Sequence, residues 1–175
     1  MSNAPRRPSE LRKQLAGVIV ALLAGAMMVQ AQETPAKPDS EGGNSGMSLK
    51  ITVTSVMVND QDKALKFYTE VLGFVKKTDV PAGEGRWLTV VSPEQPDGPE
   101  LLLEPIGFAP AKTYQKALFD AGIPWTLFAV KNINGAYERM KKLGVVFRTK
   151  PTKVGAVTIA VLEDTCGNLI QLMQK

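Results

Sequence analysis

The sequence predicts an α+β fold in which two copies of one unit, each a strand followed by a helix and three further strands, form a cup of curved mixed sheets. Alternating apolar residues from position 51 give way at Asn59 to an apolar spacing of three or four, which marks the change from a strand to a helix. The same change recurs from position 125 and breaks at Asn132. Two occurrences of one pattern indicate an internal repeat. The low helix content and short strands are typical of an α+β domain.

The first unit opens with a strand over 51–58 and a helix that we expect Asp60 to cap. A short acceptor side chain at this position can satisfy the free N–H groups of the first helical turn. Gly73 lies where the helix needs a residue of left-handed conformation to end. The apolar stripe of this helix consists of Ala64, Leu65, Tyr68, Val71 and Leu72. The stripe predicts that the helix packs against the sheet.

Three further strands complete the first unit. They are expected at 74–78, 86–92 and 100–104. Glycine and proline at 81–85 indicate a turn between the first two of these strands, and the proline-rich segment 93–99 indicates a loop before the last one.

The second unit follows a short amphipathic helix over 113–121, which Gly122 ends. The pattern then repeats in the same order, with a tight turn before the final strand. The expected elements are strand 125–131, helix 133–143, strands 145–148 and 155–162, a turn at 163–168 and strand 169–173.

Composition limits the classes of protein that fit this chain. Of its 175 residues 44% are apolar and 22% are charged, as in a globular domain with a real core. A single cysteine excludes an internal disulfide and a thiolate metal cluster within one chain. The formal net charge of +4 is spread along the chain with both signs mixed, so we expect no nucleic-acid partner.

The N-terminal residues have the character of an export signal. Basic residues precede an uncharged apolar run over 15–29, and Ala31 provides a small residue at which a signal peptidase could cut. The run is shorter than the roughly 20 residues that a spanning helix needs, so we expect no stable membrane span. We therefore predict a signal peptide at 1–31 and an exported, periplasmic or secreted, protein.

A disordered linker is expected at 32–47, where proline, glycine, serine and charged residues dominate. The folded domain is expected at 48–175, with modules at 50–105 and 125–174. A translation start at Met47 would instead give a cytoplasmic protein.

Four segments together resemble one known family. They are DQDKALKFYTEVLGF, GRWLTVV, ELLLEP and DTCGNLIQL. This combination is similar to the vicinal oxygen chelate superfamily, which contains glyoxalases, bleomycin-resistance proteins and extradiol dioxygenases, and the similarity covers 50–174. The resemblance implies paired βαβββ modules, a concave sheet surface that encloses a small ligand, and frequently a metal held by one residue from each of four strands. It also implies a homodimer.

The residues at the metal positions of that family depart from its pattern. The first position in each unit, seven residues before the helix cap, holds Val53 and Trp125, and the position in the last strand holds Gln171 where the family has glutamate. The sequence does not fix the fourth position, for which one face of strand 100–104 offers Glu100, Leu102 and Glu104.

These residues do not suit a metal. Transition-metal sites use imidazole, thiolate and carboxylate ligands, and the chain has no histidine. Valine and tryptophan offer no ligand atom, so at most one amide and one glutamate remain. We expect no metal and no cofactor, and a metal-dependent glyoxalase or dioxygenase is disfavoured.

Cys166 and Arg86 each have a functional and a structural interpretation. Cys166 lacks the histidine partner that commonly activates a nucleophilic thiol, so we interpret it as a small turn residue. Arg86 can bind a carboxylate or phosphate in bidentate fashion, or it can pair with Asp79 or Glu84 in solvent.

Two classes of function remain open. The first is a metal-free protein that binds a small molecule through Ser55, Met57, Trp125, Gln171 and one glutamate of strand 100–104. The second is a cofactor-free isomerase, epimerase or lyase acting next to a carbonyl. In the enzyme, Glu104 or Glu100 is the base, and Arg86 or Gln171 stabilises the oxyanion.

Overall fold

A computed structural model of the chain describes residues 48–83 and 85–175. The signal peptide expected at 1–31 and the linker expected at 32–47 lie outside these residues. Lys50–Lys175 form one compact domain that contains both units. Its elements are β1 (Val53–Val58), α1 (Gln61–Lys66, continued by a π-helical turn, Phe67–Val71), β2 (Val75–Ala82), β3 (Gly85–Val91), β4 (Glu100–Pro105), α2 (Ala109–Ala121), β5 (Thr126–Ala129), α3 (Ile133–Lys142), β6 (Phe147–Val154), β7 (Val157–Glu163) and β8 (Leu169–Gln174).

The strands form two four-stranded sheets with identical connectivity. The first sheet has the order β1-β4-β3-β2 and the second has the order β5-β8-β7-β6. In each sheet the outermost strand before the helix pairs in parallel with the last strand, and the other pairs are antiparallel. The expected α+β fold of two βαβββ modules is therefore confirmed.

The first helix begins and ends as its sequence predicts. Asp60 Oδ1 accepts hydrogen bonds from the backbone N–H groups of Asp62 and Lys63, at 3.0 and 2.9 Å. Gly73 ends the helix with φ at +84°, a backbone conformation that favours glycine. The π-helical turn before it was not expected. A π-turn adds one residue per turn and rotates the following side chains, and here both Phe67 and Tyr68 are buried.

Three elements are longer than expected. Helix α2 starts at Ala109 because Pro110 stands in its first turn, where a proline fits. Strands β2 and β6 continue to Ala82 and Val154. Each is an edge strand, and an edge strand tolerates proline because its outer N–H needs no partner. Pro81 and Pro151, which interrupt the sequence pattern, therefore do not end these strands.

Each sheet buries one face under its own helix. In the first sheet Val56, Val58 and Leu103 are fully buried with Ala64 of α1. In the second sheet Ala160, Leu162 and Ile170 pack in the same core as Ile133 and Met140 of α3. We call this side of each sheet the helix face. Since side chains alternate along a strand, the neighbouring residues lie on the other side, which we call the opposite face.

None of the helices found in residues 48–83 and 85–175 meets the length and hydrophobicity that a membrane span requires.

Candidate functional site

The opposite face of the first sheet gathers four of the residues that the sequence singles out. Strands β1 and β4 pair Val53 with Glu100, Ser55 with Leu102 and Met57 with Glu104. Directly paired residues project to the same side of a sheet. Ser55, Met57, Glu100 and Glu104 therefore share one face, and all four are half-buried.

The opposite face of the second sheet is apolar around one amide. Gln171 of β8 pairs with Leu127 on one side and with Val161 on the other. Met173 lies on the same face, opposite Ala129. Gln171 thus places a polar group that can donate and accept hydrogen bonds among hydrocarbon side chains.

Comparing the two sheets identifies the fourth metal position of the resembled family. Ser55 and Leu127 each lie five residues before a helix cap, Asp60 and Asn132. Ser55 pairs with Leu102, and Leu127 pairs with Gln171. Leu102 is therefore the counterpart of Gln171 in the first unit. The two glutamates beside it lie one pair further along the strand in either direction.

The two glutamates have different surroundings. Thr89, which is fully buried, donates a hydrogen bond from Oγ1 to Oε2 of Glu100 at 2.5 Å. Glu104 pairs with Met57 across the strands. Glu100 is thus held by a neutral donor on the same sheet.

Arg86 does not join these glutamates. It pairs across strands with Pro81, and the residue after it, Trp87, alternates to the opposite face. Its guanidinium lies on the helix side, where Nη2 is 2.6 Å from Asp62 Oδ1 and Nε is 3.6 Å from Asp79 Oδ1. The hydrogen bond with Asp62 raises the pKa of Arg86 above its ordinary value. Of the two interpretations in the sequence, the structure places Arg86 in ion pairs.

Trp125 joins the two units. Its indole Nε1 donates a hydrogen bond to the backbone oxygen of Ser55 at 3.1 Å, and its ring lies edge to face with Tyr114 at a centroid distance of 6.0 Å. The sequence analysis names it among the residues that would bind a small molecule. In the structure its N–H group is already bonded, so only its half-buried ring remains for contact with a ligand.

Two residues that the sequence analysis did not single out complete this junction. Gln115 of α2 and Asn168 of the turn before β8 both donate from their amides to the backbone oxygen of Met57, at 2.9 and 2.8 Å. With Trp125 they cover the free edge of β1, which pairs with β4 alone. Asn168 belongs to the quoted DTCGNLIQL segment, so its motif could have indicated it. Nothing in the local sequence distinguishes Gln115.

The turn Asp164–Asn168 is a buried hydrogen-bonded network, and Asp164 and Cys166 are fully buried. Asp164 accepts from Tyr68 Oη at 3.1 Å, from the Cys166 N–H at 2.8 Å and from the Asn168 N–H at 2.9 Å. Burial raises the pKa of Asp164 above its ordinary value and raises the pKa of the Cys166 thiol to about 11. The thiol is therefore protonated at neutral pH, which disfavours a nucleophilic role.

Two cavities within the described residues lie elsewhere. One of about 930 Å³ lies between the units and one of about 310 Å³ lies between α1 and the end of α3. None of the predicted site residues lines either of them. In the single chain the predicted residues therefore lie outside both of these cavities.

The chemistry of the four family positions does not fit a metal ion. Val53, Leu102 and Trp125 carry no ligand atom, and Gln171 supplies one amide oxygen. In the part of the chain that the structure describes, no three cysteine, aspartate or glutamate side chains are grouped so that they could hold an ion.

Comparison with known proteins identifies relatives that match about three quarters of the chain. The chain is 60% identical over 127 residues to the uncharacterized protein YurT of Bacillus subtilis, and the match covers 73% of this chain and all of YurT. The crystal structure of UcmS2 superposes with a TM-score of 0.64 at 32% identity, over 73% of this chain and 98% of that one. TnmS3, an antibiotic binding protein from Streptomyces sp. CB03234, superposes with a TM-score of 0.60 at 28% identity, over 74% and 98% of the two chains.

A family model agrees with the topology of the two sheets. The model of the glyoxalase, bleomycin resistance protein and dioxygenase superfamily matches residues 50–172, which include every strand of both sheets except the end of β8. The chain therefore belongs to the glyoxalase/bleomycin resistance protein/dioxygenase superfamily.

Proposed function

We propose that this protein binds a small molecule between its opposite sheet faces without the help of a metal ion. Ser55 and Met57 of the first sheet, the ring of Trp125, and Gln171 of the second sheet contact the ligand. One of the glutamates Glu100 and Glu104 contributes a negative charge beside them.

The observation that carries the proposal is the residue set at the four family positions. A divalent ion needs three or four protein ligands with fixed geometry, whereas these positions hold Val53, Leu102, Trp125 and Gln171. The same side chains suit an organic ligand. Binding sites for small molecules are mostly apolar, with a few polar groups that orient the ligand.

The comparisons add support for a binding role. TnmS3 is described as an antibiotic binding protein, and 98% of its chain superposes on this one. A protein that captures such a compound needs no catalytic residue, and its binding saturates at a fixed stoichiometry.

Thermal unfolding with two sets of additives tests the proposal. A ligand that binds only the native state raises the melting temperature by mass action. We expect a panel of antibiotics that includes bleomycin to contain at least one stabilising compound. We expect nickel, zinc and iron(II) at low micromolar concentration to leave the melting temperature unchanged. Stabilisation by these metals would contradict the metal-free proposal.

Calorimetry on matched variants then locates the ligand. Gln171→Leu removes the amide from the second sheet and keeps the volume, so we expect affinity for the stabilising compound to fall about tenfold, as for the loss of one buried hydrogen bond. Gln95→Leu makes the same change in an exposed loop and should leave affinity unchanged. Equal affinity in both variants would place the ligand elsewhere.

A cofactor-free enzyme acting next to a carbonyl is the second candidate. It is favoured by the position of Glu100 and Glu104, both half-buried on one sheet face, with Glu100 held by Thr89. Glu104 or Glu100 would remove the proton. Gln171 is the remaining candidate for the oxyanion, since Arg86 is engaged on the helix side.

Exchange with deuterium oxide distinguishes this enzyme from a binding protein. An enzyme of this kind transfers a proton from the carbon next to the carbonyl to its base, so a stabilising carbonyl compound recovered from D₂O gains mass. The gain should be lost in Glu104→Gln or Glu100→Gln. A compound recovered unchanged from the wild-type protein leaves binding as the function.

We further propose that a homodimer completes the binding site. Large apolar side chains are exposed on the opposite faces, including Val53, Trp87 and Leu127, and such patches commonly mark interfaces. Analytical ultracentrifugation should give twice the chain mass, and Leu127→Asp should shift the protein toward the monomer. A wild-type monomer at tens of micromolar would contradict this.

Export is proposed from the basic and apolar N-terminal residues. Cell fractionation and N-terminal sequencing of the mature protein test it, and a new N-terminus after Ala31 is expected. A cytoplasmic protein that starts at Met47 would overturn it.

A further inference from the structure

The larger of these two cavities lies between the two units, and none of the predicted ligand residues lines it. It is lined by the end of the first helical segment, by the start of the loop after β3 and by β5, α3 and β8. Its volume of about 930 Å³ falls within the range of about 300–1,000 Å³ that is usual for small-molecule sites.

The floor of the cavity is aromatic and apolar. Phe74 and Phe128 lie edge to face with their ring centroids 5.1 Å apart. Met140 and Leu172 line the same floor and are 4% and 3% exposed. Aromatic rings in this arrangement present an edge and a face to a third ring, and methionine adapts its shape to different partners.

The mouth of the cavity carries little net charge. Lys131 Nζ lies 2.8 Å from Glu94 Oε1 and so bridges the second unit to the loop of the first. The third charged residue of the lining, Lys175, is exposed at the rim. The part of a ligand that reaches the floor therefore meets no unpaired charge and has to be uncharged itself.

Hydrogen-bonding groups are present at one wall. Strand β5 pairs with β8 alone, and among the described residues no strand pairs with its other edge. Ala129, Val130 and Lys131, at the end of this strand, line the cavity. The matching edge of β1 is covered by Trp125, Gln115 and Asn168. An uncovered edge presents backbone N–H and C=O groups that a ligand can use.

We propose that this inter-unit cavity is a second binding site, which the predicted ligand residues do not line, for an uncharged molecule with a planar aromatic or apolar body. Ala129 and Met173 of the opposite face also line the cavity, whereas Leu127 and Gln171 do not. Phe128 packs against the core and lines the cavity, whereas Leu127 shares the opposite face with Gln171.

Fluorescence titration with N-phenyl-1-naphthylamine tests the site, because this uncharged aromatic probe brightens in apolar surroundings. The full chain should bind the probe saturably. Phe128→Ala should weaken binding by about tenfold, since it removes one ring of the aromatic pair. Leu127→Ala is the matched control on the other side of the strand and should bind as the wild type does.

Val130→Trp is a second variant that keeps the test decisive if Phe128→Ala does not fold. It fills the cavity from a half-buried wall position and should abolish probe binding while circular dichroism shows an intact fold. The proposal is overturned if the wild type gives no saturable signal, if Leu127→Ala weakens binding as much as Phe128→Ala, or if folded Val130→Trp binds normally. Gln171→Leu should not affect the probe, so failure here is distinguishable from failure of the proposed function.

Discussion

The two connections between the third and fourth strands occupy equivalent places in the two units, but one is largely buried and the other is largely exposed. In the second unit Asp164, Cys166 and Asn168 of the turn are buried, and Asp164 and Asn168 form hydrogen bonds with Tyr68 and Met57 of the first unit. In the first unit the loop 92–99 is mostly exposed, and it reaches the second unit through the surface pair of Glu94 and Lys131.

The difference shows how an internal repeat becomes one folded domain. One copy of the connection has become a polar junction that covers the edge of β1, and the other has remained a surface loop. Gly167 in the buried turn has φ at +98°, and a Cβ atom there would approach Gln115 to 3.1 Å. The backbone conformation and the contact with α2 therefore both favour a glycine at this position.

The largest difference is expected when the matching aspartates are removed. Asp164→Ala leaves Tyr68 and two backbone N–H groups without an acceptor, which should lower the free energy of unfolding by about 3 kcal/mol. Asp97→Ala changes a side chain that is 99% exposed and should alter it by less than about 0.5 kcal/mol. Urea denaturation measures both values, and equal losses would remove the contrast between the two connections.

A smaller difference is expected for the two tryptophans. Trp125→Phe keeps the ring but loses the hydrogen bond to Ser55, so the free energy of unfolding should fall by about 1 kcal/mol. Trp87→Phe changes a ring that is 42% exposed and serves as the control, with an effect of less than about 0.5 kcal/mol. If Trp87→Phe destabilises the protein as much as Trp125→Phe does, the hydrogen bond to Ser55 does not account for the loss of stability.

The pH dependence of stability should also report on the buried turn. Burial raises the pKa of Asp164 above its ordinary value of 3.8, so the native state keeps this proton at pH values where the unfolded chain has lost it. By linkage, this group lowers the free energy of unfolding as the pH rises above about 4. The decrease stops once the pH exceeds the pKa of Asp164 in the native state.

Asp164→Asn cannot titrate and should lack this part of the pH dependence. Urea denaturation of both proteins at a series of pH values measures the difference in slope. Parallel curves for the wild type and the variant would show that Asp164 does not hold its proton in the native state.

Labelling of thiols should distinguish the two connections by their accessibility to a reagent, without a change in stability. Cys166 is buried, and its thiol pKa is about 11, so its reaction with a disulfide reagent at pH 8 should be at least about a hundredfold slower than that of an exposed thiol. In Gln95→Cys the new thiol lies in the exposed loop and should react at once. Rapid reaction of both thiols in the native protein would show that the turn opens readily.

The repeat, the helix caps and the order of strands and helices along the chain could be predicted because they depend on local patterns. Asp60 and Gly73 behave as their residue types and positions indicate. The ends of β2 and β6 were predicted too early, because proline ends a central strand but not an edge strand. The sequence alone did not show which strands would lie at an edge.

For the candidate site, the sequence predicted which residues share one side of a strand. It did not predict which residues their side chains contact. Alternation placed Glu100 and Glu104 on one side of a strand, and β4 has them there. Arg86 lies one residue out of phase with that face and pairs with Asp62 of α1, a contact between residues 24 positions apart that no local pattern contains. The roles of Gln115 and Asn168 at the edge of β1 depend on contacts still further apart in the chain.

The sequence by itself determined the family, the duplicated βαβββ order and the lack of histidine, because these follow from residue types and their spacing. Only the tertiary structure decided that Leu102 is the counterpart of Gln171, that Trp125 uses its N–H to join the units and that β1 is covered while one edge of β5 borders a cavity. These outcomes depend on strand register and on the packing of one unit against the other. Both are set by contacts between distant residues, which leave no periodic pattern along the chain.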